Sequence, residues 1–140
     1  MSSSRLLIAS TTLSLAIIGG SAMAADGDAV KGKKVFKKCM ACHQVGPEAK
    51  NRVGPILNNV VDRAAASIPD FKYGKSIRAA GEKGLMWTEE ELDKYLTNPK
   101  KYLRAYLDDK KAKSKMSFKL KKDGQRADVI AYLKSMKTAE

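Results

Sequence analysis

Cys39-Met40-Ala41-Cys42-His43 constrains this 140-residue chain more than any other feature. The two thiols sit one helical turn apart, so both can bond to the vinyl groups along one edge of a porphyrin. The histidine that follows is then held where an imidazole nitrogen reaches the iron from one face. C-x-x-C-H is the attachment signature of a c-type haem: thiols add to vinyls, and imidazole is a proximal iron ligand. His43 is the only histidine in the chain, so no second imidazole competes for that role. A redox or structural disulfide between Cys39 and Cys42 is the competing reading. A thioredoxin-type pair needs no histidine next to it and expects a βαβ setting. Structural zinc wants four ligands, and these three lack a matching second half.

The N-terminus has the build of an export signal. Met1 to Arg5 is short and polar with one positive charge, and Leu6 to Gly20 is an apolar run of fifteen residues. Ala22-Met23-Ala24 then fits the small-x-small cleavage pattern. A retained membrane anchor is the alternative, but spanning takes roughly 20 apolar residues and a processing site follows directly. The expected organisation is a cleaved signal at 1–24 and one domain at 25–140. No membrane span is expected after cleavage.

Cleavage after Ala24 takes 24 residues from 140 and leaves 116, enough for one small domain with a modest core. A buried porphyrin would supply the centre of such a fold. Only Arg5 among the charges is lost, so 27 basic residues become 26 against 15 acidic, a net +11. Lys31, Lys33, Lys34, Lys37 and Lys38 flank the cysteines, and Lys110, Lys111, Lys113, Lys115, Lys119, Lys121 and Lys122 surround Met116. A basic surface suits nucleic acid, anionic lipid or an acidic protein. No recognition motif or aromatic interleaving supports nucleic acid, and solubility alone is the plainer explanation. Lysines bracketing both candidate iron ligands instead suggest a ring that steers acidic partners to an exposed haem edge.

The readable segments are helical, and no repeat, low-complexity tract or useful strand pattern appears. Asp26 to Lys38 places Val30, Gly32, Val35 and Phe36 at helical spacing. Thr88-Glu89-Glu90-Glu91 reads as a capping box, with Thr88 and Glu91 bonding reciprocally. Its helix, with Leu92, Tyr95 and Leu96 on one face, should stop at Asn98 because Pro99 follows. Pro99 can open the next helix. The last should start near Asp123 and run through Ala127, Ile130, Ala131 and Leu133, as far as Met136. Residues 44–70 read as loop with a helical turn around Leu57 to Arg63. A short helix from Lys72 to Ala80 should end at Gly81.

Six-coordinate iron needs a second axial ligand, which could be methionine, lysine or an open position. Met23 leaves with the signal, Met40 lies on the proximal side, and Met86 and Met136 read as core. Met116 stands in a lysine-rich, irregular segment with little apolar company before it. A thioether there would favour ferrous iron and raise the reduction potential.

Across roughly Gly27 to Lys137 the chain resembles class I c-type cytochromes, specifically soluble bacterial relatives of mitochondrial cytochrome c. The resemblance rests on "GDAVKGKKVFKKCMACH", "VGPIL", "WTEEELDKYLTNPKKYL", "SKM" and "RADVIAYLK". It implies an all-α fold of helices and long loops wrapped around one haem c, bound through Cys39 and Cys42. It also implies His43 as proximal ligand and Met116 as distal ligand. Pro55 matches the proline whose carbonyl accepts from the ligand histidine. Tyr73 and Trp87 match residues that bond a buried haem propionate, and Arg63 matches the arginine nearby. Tyr95 matches the tyrosine beside the methionine sulfur, and Ser114 stands where the family often has threonine. Gly32, Phe36, Val129 and Tyr132 match the crossing of the first and last helices. The chain departs from the mitochondrial pattern between Tyr102 and Met116, where it is longer, and at Ile77, which replaces a buried asparagine.

The resemblance implies a monomeric periplasmic one-electron carrier without catalytic residues, because haem attachment in bacteria takes place outside the cytoplasmic membrane. Its partners would be the acidic surfaces of membrane redox complexes: a quinol–cytochrome c reductase as donor, and a terminal oxidase or photosynthetic reaction centre as acceptor. A haem c subunit or acceptor of a periplasmic dehydrogenase is the alternative. An enzyme or gas sensor with an open distal face is a third reading; the bundle-type haem proteins that bind gases usually carry the motif near the C-terminus.

Overall fold

The computed structural model describes residues 26–137, so the candidate signal segment lies outside the described residues. Among the described residues five helices follow in order: α1 (Ala29–Phe36), α2 (Lys75–Glu82), α3 (Glu89–Thr97), α4 (Pro99–Leu107) and α5 (Asp123–Ser135). Among the described residues the only sheet-like pairing is an isolated antiparallel bridge between Ala64 and Met86.

α1 is shorter than the apolar spacing predicts, and both ends have local causes. The Asp28 carboxylate accepts from the amides of Val30 and Lys31 at 2.8 and 3.1 Å, so the helix starts after it. Beyond Phe36 the chain tightens into turns, with Lys38 N–H bonded to Val35 and Cys39 N–H to Phe36. Only Gly32, Val35 and Phe36 are buried; Val30, expected on that face, is 73% exposed.

The buried stripe lies across α5, where Val129, Ile130 and Leu133 face inward. A Cβ on Gly32 would overlap the Asp128 carbonyl and come within 2.7 Å of Tyr132 Cβ, so glycine alone permits this approach. Phe36 and Tyr132 complete the crossing with ring centroids 5.4 Å apart. Asp128 also accepts the Asp28 N–H at 2.8 Å, fastening the start of α1 to α5.

α3 and α4 form where expected. Thr88 Oγ1 accepts the Glu91 N–H at 3.2 Å, and three glutamates in the first turn suit the positive end of the helix. The reciprocal half of the capping box is absent. The Thr88 N–H goes to the Met86 carbonyl, because the Glu91 carboxylate is taken by Tyr102 and Lys94. Asn98 ends α3 and caps α4 by accepting the Lys101 N–H at 3.1 Å, with Pro99 in the first turn.

α2 begins and ends later than expected. Gly74 is extended, and the helix runs through Gly81, where a Cβ would overlap the Ala65 carbonyl. Gly84, at φ +90°, makes the turn instead. The expected helical turn at Leu57 to Arg63 is replaced by non-helical turns with Asn59 and Asp62 at φ 54° and 66°. Asp62 to Ala65 then pairs with Leu85 to Trp87 through three main-chain hydrogen bonds. This pairing buries Leu85 and Trp87 and turns Met86 outward, so Met86 is 44% exposed rather than core. Met136, also read as core, follows α5 and is only partly buried.

Candidate haem site

The turn leaving α1 sets the thiols. The amides of Cys42 and His43 both donate to the Cys39 carbonyl, at 3.0 and 2.9 Å. The two cysteines are free thiols, each partly buried. Burial pushes the Cys39 thiol up to about 11, opposed only by Lys38. Reactive C-x-x-C pairs have lowered values, so this environment disfavours a redox thiolate and suits a sulfur that will carry a thioether.

His43 is held in one tautomer. Its Nδ1 lies 2.7 Å from the Pro55 carbonyl oxygen; a carbonyl only accepts, so we assign the proton to Nδ1 and leave Nε2 free for iron. Burial lowers the His43 value, the Arg63 charge adds to this, and the Pro55 bond opposes it. The imidazole is thereby favoured in its neutral, ligating form. Gly54 lies flat against the ring: a Cβ there would come within 2.7 Å of both ring nitrogens. The Gly54 N–H donates to the Cys42 carbonyl and the Leu57 N–H to Gln44, at 2.9 and 3.0 Å. Asn58 bonds both the N–H and the carbonyl of Gly46. These ties keep the loop bearing Pro55 folded over the cysteine motif.

A polar cluster sits at the next turn of that loop. Arg63 donates through Nη1 to the Asn58 carbonyl at 2.7 Å and through Nη2 to the Ile56 carbonyl at 3.2 Å. Its Nε is buried without a partner, alone in this among the described side chains. Burial lowers the Arg63 value and raises that of Tyr73, and each favours the other's charged form. Tyr73 Oη accepts the Ile68 N–H at 3.3 Å, and the Arg63 carbonyl accepts the Trp87 N–H at 2.8 Å. An unpaired buried guanidinium N–H calls for an anion. The residues present therefore fit a propionate-bearing cofactor.

Met116 is partly buried and packs against the core, as do Ile77 and Tyr95. Ser114 Oγ donates to the Met116 carbonyl at 2.9 Å and lies 3.5 Å from the Tyr95 hydroxyl. The insertion before Met116 is tied down as well: Ser76 Oγ accepts the Lys113 N–H at 3.0 Å, and Lys115 Nζ reaches the Lys72 carbonyl at 2.8 Å. Met40, by contrast, is 60% exposed.

Three contributors escaped the sequence reading. Gly54 was legible as half of a Gly-Pro pair, but its closeness to His43 was not. Asn58 carries no motif. Arg126 stands inside "RADVIAYLK" with nothing to mark it as buried.

The donor set comprises two thiols one turn apart, a neutral imidazole with a free nitrogen, a thioether, and an orphan guanidinium N–H. It fits one haem c attached through Cys39 and Cys42. The cytochrome c family model matches residues 29–137. Cytochrome c2 iso-2 of Rhodospirillum centenum is 52% identical over 115 residues, which cover 78% of this chain and 95% of that protein. Cytochrome c2 of Rhodospirillum rubrum is 44% identical over 131 residues, covering 94% of this chain and 96% of that protein. The solved structure of cytochrome c2 from Rhodospirillum centenum superposes with a TM-score of 0.77 at 49% identity, covering 80% of this chain and 100% of that one. Ferric cytochrome c-550 from Paracoccus versutus gives 0.74 at 42% identity, covering 80% and 99%. With its fold, its attachment motif and these likenesses in agreement, the chain belongs to the cytochrome c family and is a class I c-type cytochrome.

Proposed function

We propose that the mature chain, residues 25–140 after removal of 1–24, is a diffusible periplasmic monomer that moves single electrons and catalyses no reaction of its own. Its donor is a quinol–cytochrome c reductase, and its acceptor is a terminal oxidase or a photosynthetic reaction centre. When bound, the haem iron supplies the one-electron couple. His43 would hold it through Nε2, with Pro55 fixing the ring and making it a better donor. Met116 would offer a thioether from a separate loop, which would favour the reduced state. Arg63, Tyr73 and Trp87 would cradle a propionate, while Tyr95 and Ser114 would hold the Met116 segment in place.

The carrying observation is that each candidate ligand has its own hydrogen-bonded loop, so neither needs to move when charge changes. The distribution of charge supports the rest. Ion pairs among the described residues engage Lys31, Lys94, Lys134, Lys137 and Arg126. Lys33, Lys34, Lys37, Lys38 and the lysines from 110 to 122 meet no carboxylate there. The two lysine groups flanking the candidate ligands in sequence therefore keep charge free to steer an acidic partner. No helix among the described residues is long and apolar enough to cross a membrane.

The test is an optical titration of the purified holoprotein. Ferric wild type should show the weak sulfur-to-iron band and Met116→Ala should lose it. Ready binding of carbon monoxide by the reduced wild type at neutral pH would mean an open distal face and overturn the carrier reading.

A further inference from the structure

Arg126 is the one charged side chain that is buried among the described residues, at 7% exposure. It lies on α5, and apart from a pairing with Asp123 in that helix's first turn its contacts leave the helix. Nη1 donates to the carbonyls of Leu120 and Lys121 at 3.0 and 2.9 Å. Nε donates to Asp93 Oδ1 at 2.7 Å, and Nη2 to Asp123 Oδ1 at 2.7 Å and Asp93 Oδ2 at 3.5 Å. All five N–H groups of the guanidinium are thereby engaged.

The carbonyls it grips lie four and five residues after Met116, and Asp93, which anchors it, belongs to α3. The same helix touches the Met116 segment twice more. The Leu96 carbonyl accepts the Leu120 N–H at 2.8 Å, and the Tyr95 hydroxyl lies 3.5 Å from Ser114 Oγ. Ser117, Phe118 and Lys119, between these two anchorages, are exposed. Leu120 is thus the first well-held residue after Met116, with its N–H fixed by α3 directly and its carbonyl fixed through Arg126.

Burying a guanidinium costs desolvation, and a well-packed apolar residue of similar size is often as stabilising. What an apolar residue could not do is hold two main-chain carbonyls at a set distance from a carboxylate on another helix. We infer that Arg126 is a positioning residue for the distal loop: by clamping Leu120 and Lys121 to α3 it governs how readily Met116 leaves the iron. This rests on the reading of Met116 as ligand. An added ligand that competes for the iron binds only when the loop opens, so its apparent affinity is scaled by the open fraction.

The experiment titrates imidazole into the ferric holoprotein and follows loss of the sulfur-to-iron band. Arg126→Lys keeps the charge but loses the fork, and should bind imidazole roughly tenfold more tightly than wild type. Asp93→Asn, which leaves the arginine in place, should fall between, and serves alone should Arg126→Lys not fold. Hydrogen exchange at the Leu120 amide should quicken in step, while the Ile130 amide in α5 stays protected. Val35→Ala weakens the α1–α5 packing away from the loop, and should leave imidazole affinity within about twofold. Unchanged affinity in both Arg126→Lys and Asp93→Asn, with the band intact, overturns the inference. So does a Val35→Ala protein that matches their gain. Absence of the band from wild type would instead sink the ligand assignment, and this inference with it.

Discussion

The Pro55 carbonyl oxygen lies 2.7 Å from His43 Nδ1, and Gly54, the residue before it, lies against the face of the same imidazole. One dipeptide therefore fixes both the tautomer of the ring and the plane in which it sits. The remaining ring nitrogen, Nε2, is left unprotonated and could ligate a metal, since ligand histidines generally donate their other ring N–H to such a carbonyl.

Gly54→Ala should disturb this side of the site more than its size suggests. The added methyl would meet the His43 ring, with both nitrogens at 2.7 Å, and something must shift. We expect a stability loss of about 2 kcal/mol in denaturant unfolding, together with a changed reduction potential. A variant with wild-type values for both would refute the contact.

Gly32→Ala attacks the crossing of α1 and α5. The methyl would run into the Asp128 carbonyl and Tyr132 Cβ, neither of which is a flexible chain end. Forcing two helix backbones apart should cost about 3 kcal/mol and lower Tm by at least ~10 °C. Thermal unfolding measures this directly, and the haem spectrum should change little.

Tyr102→Phe should alter acid stability. The Tyr102 O–H donates to Glu91 Oε2, and this bond is the chief cause holding the Glu91 carboxyl below its usual value, with Lys94 assisting. A carboxyl lowered in the folded state stabilises the fold above its unfolded value and loses that contribution as pH falls through the folded one. Removal of the donor should cost about 1.5 kcal/mol at neutral pH. The gap between wild type and variant should narrow as pH falls from the ordinary carboxylate range to below it. A gap that stays constant across that range would show that Glu91 is not the partner that matters.

Ala66→Gly should stabilise the protein slightly. Ala66 sits at φ +58°, a left-handed conformation costing a residue with a Cβ roughly 1–2 kcal/mol. Glycine removes that strain but gives back about 0.5–1 kcal/mol in chain entropy. A net gain of about 0.5 kcal/mol in urea unfolding is expected; a loss would mean that the Ala66 methyl packs better than its strain costs.

Lys119→Glu should slow electron transfer to an acidic membrane complex several-fold at low salt, with the difference fading as ionic strength rises. Lys134→Gln is the control, because Lys134 already meets Glu89 at 2.6 Å and contributes little free charge. Stopped-flow rates across a salt series would separate the two variants, and equal slowing of both would count against a localised docking ring.

Much of the outcome was legible from short stretches of sequence, because the deciding interactions are themselves short. Cys39, Cys42 and His43 act through spacing within one turn. Thr88 caps α3, and Asn98 with Pro99 joins α3 to α4, through bonds spanning at most three residues. The role of Gly32 was legible only through the family resemblance, because its contacts are with Asp128 and Tyr132 on α5. By contrast, the partner of Glu91 is Tyr102, eleven residues away, so the second half of the capping box could not be judged locally.

What the chain by itself determined is its attachment chemistry, the starts of α3, α4 and α5, and its excess of positive charge, all of which depend on residue type and near neighbours. Only the tertiary structure decided that Val30 and Met86 face outward, that Gly81 lies within a helix against Ala65, and that Arg126 is buried with Asp93 thirty-three positions away. The reason is physical: a hydrogen bond within a turn is dictated by backbone geometry. Burial and long-range pairing instead depend on which surfaces compete for the same space once the helices have packed.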